Sequence, residues 1–67
     1  MYSEIVKEIL EVNSIKSDAE IRDFIKRLRE DLRLDYDMTA KDVAKLSNNA
    51  VIEVWNDFNR LEDIQGS

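Results

Sequence analysis

The chain lacks the residues that staple small proteins and carry most enzyme chemistry. Its 67 residues include no cysteine, no histidine, no proline and a single glycine. Without cysteine there is no disulfide framework, and without cysteine or histidine the usual ligands of zinc, copper, haem and iron-sulfur clusters are missing. The absence of histidine also removes the commonest general acid-base group at neutral pH. We therefore expect no catalytic residues, no cofactor and no metal site.

The scarcity of glycine and proline also indicates the fold class. All-β folds need these residues in their turns, whereas this sequence is rich in Glu, Lys, Arg, Leu and Ile, which favour helices. We predict a single all-α domain over residues 1–67. There is no apolar run long enough to cross a membrane and no basic, apolar leader at the amino terminus. The expectation is a soluble, cytoplasmic protein without membrane contact.

Charge is unevenly distributed along the chain. The formal net charge is -5, and residues 35–67 carry -4 of it because seven acids there face three bases. Residues 18–34 balance five acids against five bases. An acidic surface repels phosphate, so the overall field disfavours nucleic acid as a partner. Any contact with DNA would have to come from a local basic patch.

Three helices are predicted from apolar periodicity and capping residues, over about 3–12, 18–33 and 40–62. In the first helix the apolar residues cover one broad face, wider than one neighbouring helix can bury. Ser17 and Glu20 form a capping box at the start of the second helix. Thr39 caps the third helix. Asp42 lies in its first turn, where a carboxylate interacts favourably with the positive end of the helix dipole.

The length of the third helix is the main open question about the fold. On a continuous helix, Val43, Leu46, Ala50 and Val54 share one face, and this stripe crosses Asn48-Asn49 without losing phase. A turn would normally reset that phase. The pattern therefore favours a three-helix bundle with one long C-terminal helix. The alternative is a helix-turn-helix with a break at Asn48-Asn49.

The segment Met38–Leu46, with the sequence MTAKDVAKL, resembles the opening helix of excisionase-like and other phage-regulator helix-turn-helix domains. The resemblance implies a turn at Asn48, an inward position at Val54 and a DNA-binding transcriptional regulator from a phage or other mobile element. The following residues depart from that family. A recognition helix needs polar or cationic side chains early in it, but Ala50–Glu53 supply three apolar residues and a glutamate.

An apolar flank on the long helix is the first candidate site. With Val43 facing the core, Ile52 and Trp55 would point away from it and Val51 would lie at the edge of the core stripe. A contiguous apolar patch on a small protein suggests an interface, and tryptophan is enriched at binding hot spots. The predicted protein interface is therefore Val51, Ile52 and Trp55. The competing interpretation is that the first helix covers this flank as ordinary core.

A row of cations on the second helix is the second candidate site. Arg22, Lys26, Arg29 and Arg33 align beside the core stripe. They could form a charged rim that contacts phosphate or an acidic partner. They could equally be a solvated helix face, or they could complement the acids of the last helix within the same chain.

These observations favour a non-catalytic helical regulator or inhibitor that binds another protein through a helical surface. A homodimer is also expected, since 67 residues leave a thin core and two copies could hide the excess apolar surface. The alternative is a DNA-binding helix-turn-helix regulator. A lesser alternative is an acidic DNA mimic.

Overall fold

The fold is a small all-α bundle, as the sequence predicts. The computed structural model describes residues 2–66, with side chains described for residues 2–60. Within this part of the chain there are four helices and no strand: α1 (Glu4–Val12), α2 (Asp18–Leu34), α3 (Ala40–Lys45) and α4 (Asn48–Gly66). None of these helices combines the length and the apolar character needed to cross a bilayer.

Helices α2 and α3 begin where their predicted capping residues place them, and Ser3 caps α1. The Ser17 hydroxyl accepts a hydrogen bond from the Glu20 amide at 3.1 Å and donates one to the Glu20 carboxylate at 3.1 Å. Thr39 accepts from the Asp42 amide at 3.1 Å. Ser3 accepts from the Val6 amide at 3.4 Å. These bonds satisfy amide groups that the first turn of a helix leaves without a partner.

The prediction of one helix over 40–62 is wrong. Lys45 ends α3, Leu46 is extended with φ of -77° and ψ of 135°, and α4 begins at Asn48. The Ser47 hydroxyl accepts from the Ala50 amide at 3.2 Å. Serine thus caps a new helix instead of continuing the old one. The alternative with a break is right in kind, but the break lies at Leu46-Ser47, just before Asn48-Asn49.

The core is formed at the centre of the bundle, where α4 packs against both α1 and α2. Each helix contributes buried apolar side chains, and half-buried aromatic residues pack around them. Tyr36, in the connection after α2, stacks on Phe58 of α4 with ring centroids 4.7 Å apart. The buried residues are Val6, Leu10, Ile25, Leu28, Leu32, Val43, Val51 and Ile52.

Candidate functional site

Two hydrogen bonds fix the start of α1 beside α4. The Ser3 amide donates to the Asn49 side-chain oxygen at 2.8 Å, and the Ser3 hydroxyl donates to the Glu53 carboxylate at 2.8 Å. Ser3 therefore both caps α1 and anchors it on the first two turns of α4. Since Val6 and Leu10 are buried against the bundle, the rotation of α1 about its axis is also set.

This rotation leaves an apolar groove between α1 and α4, which we call the α1/α4 groove. Ile5, Ile9 and Val12 line it from α1, and Trp55 lines it from α4. The groove has a volume of about 430 Å³. Ile5 is 54% exposed and Val12 is 78% exposed, although both belong to the apolar face of α1. The broad apolar face predicted for the first helix is thus only partly covered by the rest of the chain.

Trp55 sits with one part in the core and another in the groove. Its ring meets Phe24 of α2 edge to face, with centroids 6.0 Å apart and planes at 78°. Such a pair fixes the orientation of both rings. The Trp55 backbone oxygen also accepts from the Asn59 side-chain amide at 3.0 Å. The contact with Phe24 therefore holds the indole in place before any ligand arrives, which lowers the entropy cost of binding to it.

Charged side chains border the groove. Glu8 lines it from α1, and Asp57 and Arg60 line it from α4. Glu4 and Glu11 are exposed on the same side of α1 as Glu8, because residues four and three positions apart on a helix are neighbours. Two carboxylates and one guanidinium thus line the border of the groove, with Glu4 and Glu11 further round α1.

Val51 and Ile52 are not part of an exposed flank, and this expectation is wrong. Both side chains are fully buried in the core. The prediction measured helical phase from Val43 through an uninterrupted helix, but the break at Leu46-Ser47 changes the direction of α4 relative to α3. The competing interpretation, that the first helix covers this flank, is right for these two residues. Of the predicted interface, Trp55 alone lines the groove.

The four cations of α2 do not form one surface. Arg22, Lys26 and Arg33 are exposed, whereas Arg29 is half-buried. The Arg29 guanidinium donates to the backbone oxygens of Val43 and Leu46, the latter at 3.0 Å. A third contact, at 3.4 Å, joins it to the side-chain oxygen of Asn48. Arg29 is thus committed within the chain, so its assignment to an external rim is wrong.

The partners of Arg29 also explain the α3-α4 connection. The carbonyls at the end of a helix lack partners within it, and α3 has only six residues. Arg29 supplies two donors to this end from a different helix. A planar guanidinium suits such forked contacts. The break between α3 and α4 is therefore tolerated, because Arg29 donates hydrogen bonds to the carbonyls of Val43 and Leu46.

Helix α4 is poorly placed to read DNA. In a helix-turn-helix the early residues of the second helix reach the base edges. Of residues 48–60, three are exposed: Asn48, Asp57 and Arg60. The Asn49 side chain is already bonded to the Ser3 amide. The backbone thus has a helix, a short connection and a second helix, but most of the second helix is used in packing.

In the part of the chain that the structure describes, no three acidic side chains converge in the way that a metal site requires. An apolar groove with a charged border can bind a partner, because the apolar residues offer contact area and the charges select partners of opposite charge.

The comparisons with known proteins identify no relative. No protein-family model matches the chain, no curated protein matches its sequence, and no solved structure matches its fold. The protein is thus defined by its class, a small all-α bundle, and its function has to be inferred from the groove.

Sequence reasoning missed Ile5 and Val12 as site residues. Their signal was present, because the apolar face of the first helix is wider than one neighbour can cover. The sequence alone does not show which edge of that apolar face stays exposed in the folded chain. Burial of Val6 and Leu10 leaves Ile5 and Val12 on the groove side.

Proposed function

We propose that the protein is a non-catalytic helical regulator that binds another protein through the α1/α4 groove. The observation that carries this proposal is the open apolar edge of α1, where Ile5 and Val12 flank the preformed surface of Trp55. Exposed apolar patches on small proteins commonly mark interaction sites. Aromatic residues that are already packed in place are favoured as anchors because they lose little entropy on binding.

A matched pair of variants tests this proposal. Val12 and Leu34 are each 78% exposed and each is the last residue of its helix, but Val12 lines the groove and Leu34 does not. Val12→Gln and Leu34→Gln therefore make the same kind of change at a site and at a control position. We expect both variants to fold like the wild type, since exposed substitutions change stability by about 0.5 kcal/mol or less.

Affinity capture from a lysate, with and without nuclease, provides the measurement. The proposal expects a protein partner that survives nuclease, is depleted by Val12→Gln and is retained by Leu34→Gln. Equal recovery by both variants would place the interface elsewhere. Loss of every partner on nuclease treatment would support the DNA-binding alternative instead.

One specific observation favours the helix-turn-helix alternative, namely the break between α3 and α4. It is better tested through the exposed cations Arg22 and Lys26 than through Arg29, which is needed within the fold. A DNA-binding protein should lose affinity steeply with salt and after Arg22→Ala. Protein recognition by the groove should be insensitive to Arg22→Ala, because that side chain does not line it.

A further inference from the structure

The α1/α4 groove has a charge pattern that restricts its partner. Glu4, Glu8 and Glu11 are exposed along one side of α1, beside the row formed by Ile5 and Val12. Of these three, Glu8 lines the groove itself, and Asp57 and Arg60 border it from α4, so its charged lining is two carboxylates and one guanidinium. A cationic partner would be attracted to these carboxylates, whereas an anionic partner would be repelled.

The apolar residues of the groove have the spacing that suits a helical partner. Ile5, Ile9 and Val12 recur at each turn of α1 and form a ridge that follows the groove. From the other side of the groove, α4 contributes the indole of Trp55. A third helix can lay its apolar stripe into such a cleft between two helices, with side chains at positions i, i+3, i+4 and i+7 as anchors.

A second copy of this chain fits the groove less well. Each copy has a net charge of -5. A two-fold contact uses the same surface from both copies, so pairing two grooves face to face would bring four carboxylates, from Glu8 and Asp57, together with two Arg60 side chains and leave an excess of negative charge. Like charges at close range oppose association. The border therefore selects against self-association while favouring a basic partner.

From this geometry we infer that the groove binds a basic amphipathic helix of a partner protein. The helix presents an apolar stripe to Ile5, Val12 and Trp55, and its lysine or arginine residues meet the carboxylates of Glu8 and Asp57. This inference rests on the proposed function and adds the chemistry and the secondary structure of the partner.

Synthetic peptides can test the inference without knowledge of the natural partner. The probe is a peptide of about five helical turns with leucines on one face and lysines elsewhere. One control replaces each lysine by glutamate, and a second keeps the lysines but scrambles the order so that no apolar face forms. Trp55 is the single tryptophan of the chain, so its fluorescence reports occupancy of the groove directly.

We expect the lysine peptide to bind at least about tenfold more tightly than the glutamate and scrambled peptides. Raising the salt concentration should weaken its binding, since salt screens exposed charges. Glu8→Lys should weaken binding by about threefold to tenfold. Glu30→Lys is the matched control, because it makes the same charge change at an exposed position of α2 outside the groove. It should stay within about twofold of the wild type.

Other outcomes would overturn the inference in distinguishable ways. Equal binding of the lysine and glutamate peptides, lost in Val12→Gln, would reject the charge selection and leave the groove as a binding site. A dimer in equilibrium sedimentation that Val12→Gln dissociates would assign the groove to a second copy. If no peptide binds but the captured partner still depends on Val12, only the helical partner is rejected. If no peptide binds and capture of the partner does not depend on Val12 either, the proposed function fails as well.

Discussion

Arg29 offers the sharpest test of how this fold is held together. Its guanidinium donates to the carbonyls of Val43 and Leu46 and lies near the side chain of Asn48. A hydrogen bond that involves a charged group contributes about 1.5 to 3 kcal/mol. Because the site is only partly buried, water can replace some of what is lost. We therefore expect Arg29→Ala to lower the free energy of unfolding by about 2 kcal/mol.

This loss would be large for a chain of 67 residues. At about 4 to 8 °C per kcal/mol for domains of this size, the melting temperature should fall by roughly 10 °C. Circular dichroism during heating and urea titration both measure the effect. Helix propensity does not explain such a loss, because alanine is a slightly better helix former than arginine.

Arg33→Ala is the matched control for Arg29→Ala. Arg33 is an exposed cation on the same helix, so its removal should change stability by about 0.5 kcal/mol or less. Arg29→Lys should fall between the two, since an ammonium keeps the charge but not the planar fork that reaches two carbonyls. If Arg29→Ala and Arg33→Ala have the same stability, the bonds to the α3-α4 connection contribute nothing measurable and our account of the break is refuted.

Two further predictions concern the core and the start of α4. Ile52→Ala should cost about 3 kcal/mol in urea titration because Ile52 is fully buried, whereas Val12→Ala should cost about 0.5 kcal/mol or less; equal effects would contradict the assignment of Ile52 to the core. Ser47→Ala should cost about 1 kcal/mol and speed amide hydrogen exchange at Ala50, because the cap of α4 is lost. Ser47→Asp should largely restore both, since aspartate also caps helices; an unchanged exchange rate in Ser47→Ala would refute the capping role.

The sequence predicted the first two helices because their signals are local. Ser17 and Glu20 lie three residues apart and bond to each other, so their interaction needs nothing from the rest of the chain. The apolar face of α1 is likewise visible as periodicity. Even the correct warning about α1, that its apolar face is too broad for one neighbour, follows from counting side chains around one helix.

The prediction of one long C-terminal helix is wrong because the same spacing of apolar residues fits both one continuous helix and two helices separated by a break. Val43, Leu46, Ala50 and Val54 keep helical spacing in the sequence although the helix ends at Lys45, so periodicity alone could not reveal the break. Ser47 is a local signal for a new helix, since its hydroxyl caps α4, whereas the predicted alternative places the break at Asn48-Asn49. The error then moved Val51 and Ile52 from the core to a supposed surface.

The composition and local pattern of the sequence by themselves determined the helical class, the starts of α1, α2 and α3, and the acidic character of the chain. Tertiary structure decided where α4 begins and which edge of α1 stays exposed. Both depend on contacts between residues distant in sequence: Arg29 with the carbonyl of Leu46, and Ser3 with Asn49 and Glu53. A hydrogen bond between two helices depends on how they pack, and neither helix specifies that packing alone. For this reason the α1/α4 groove could be recognised only after the bundle was assembled.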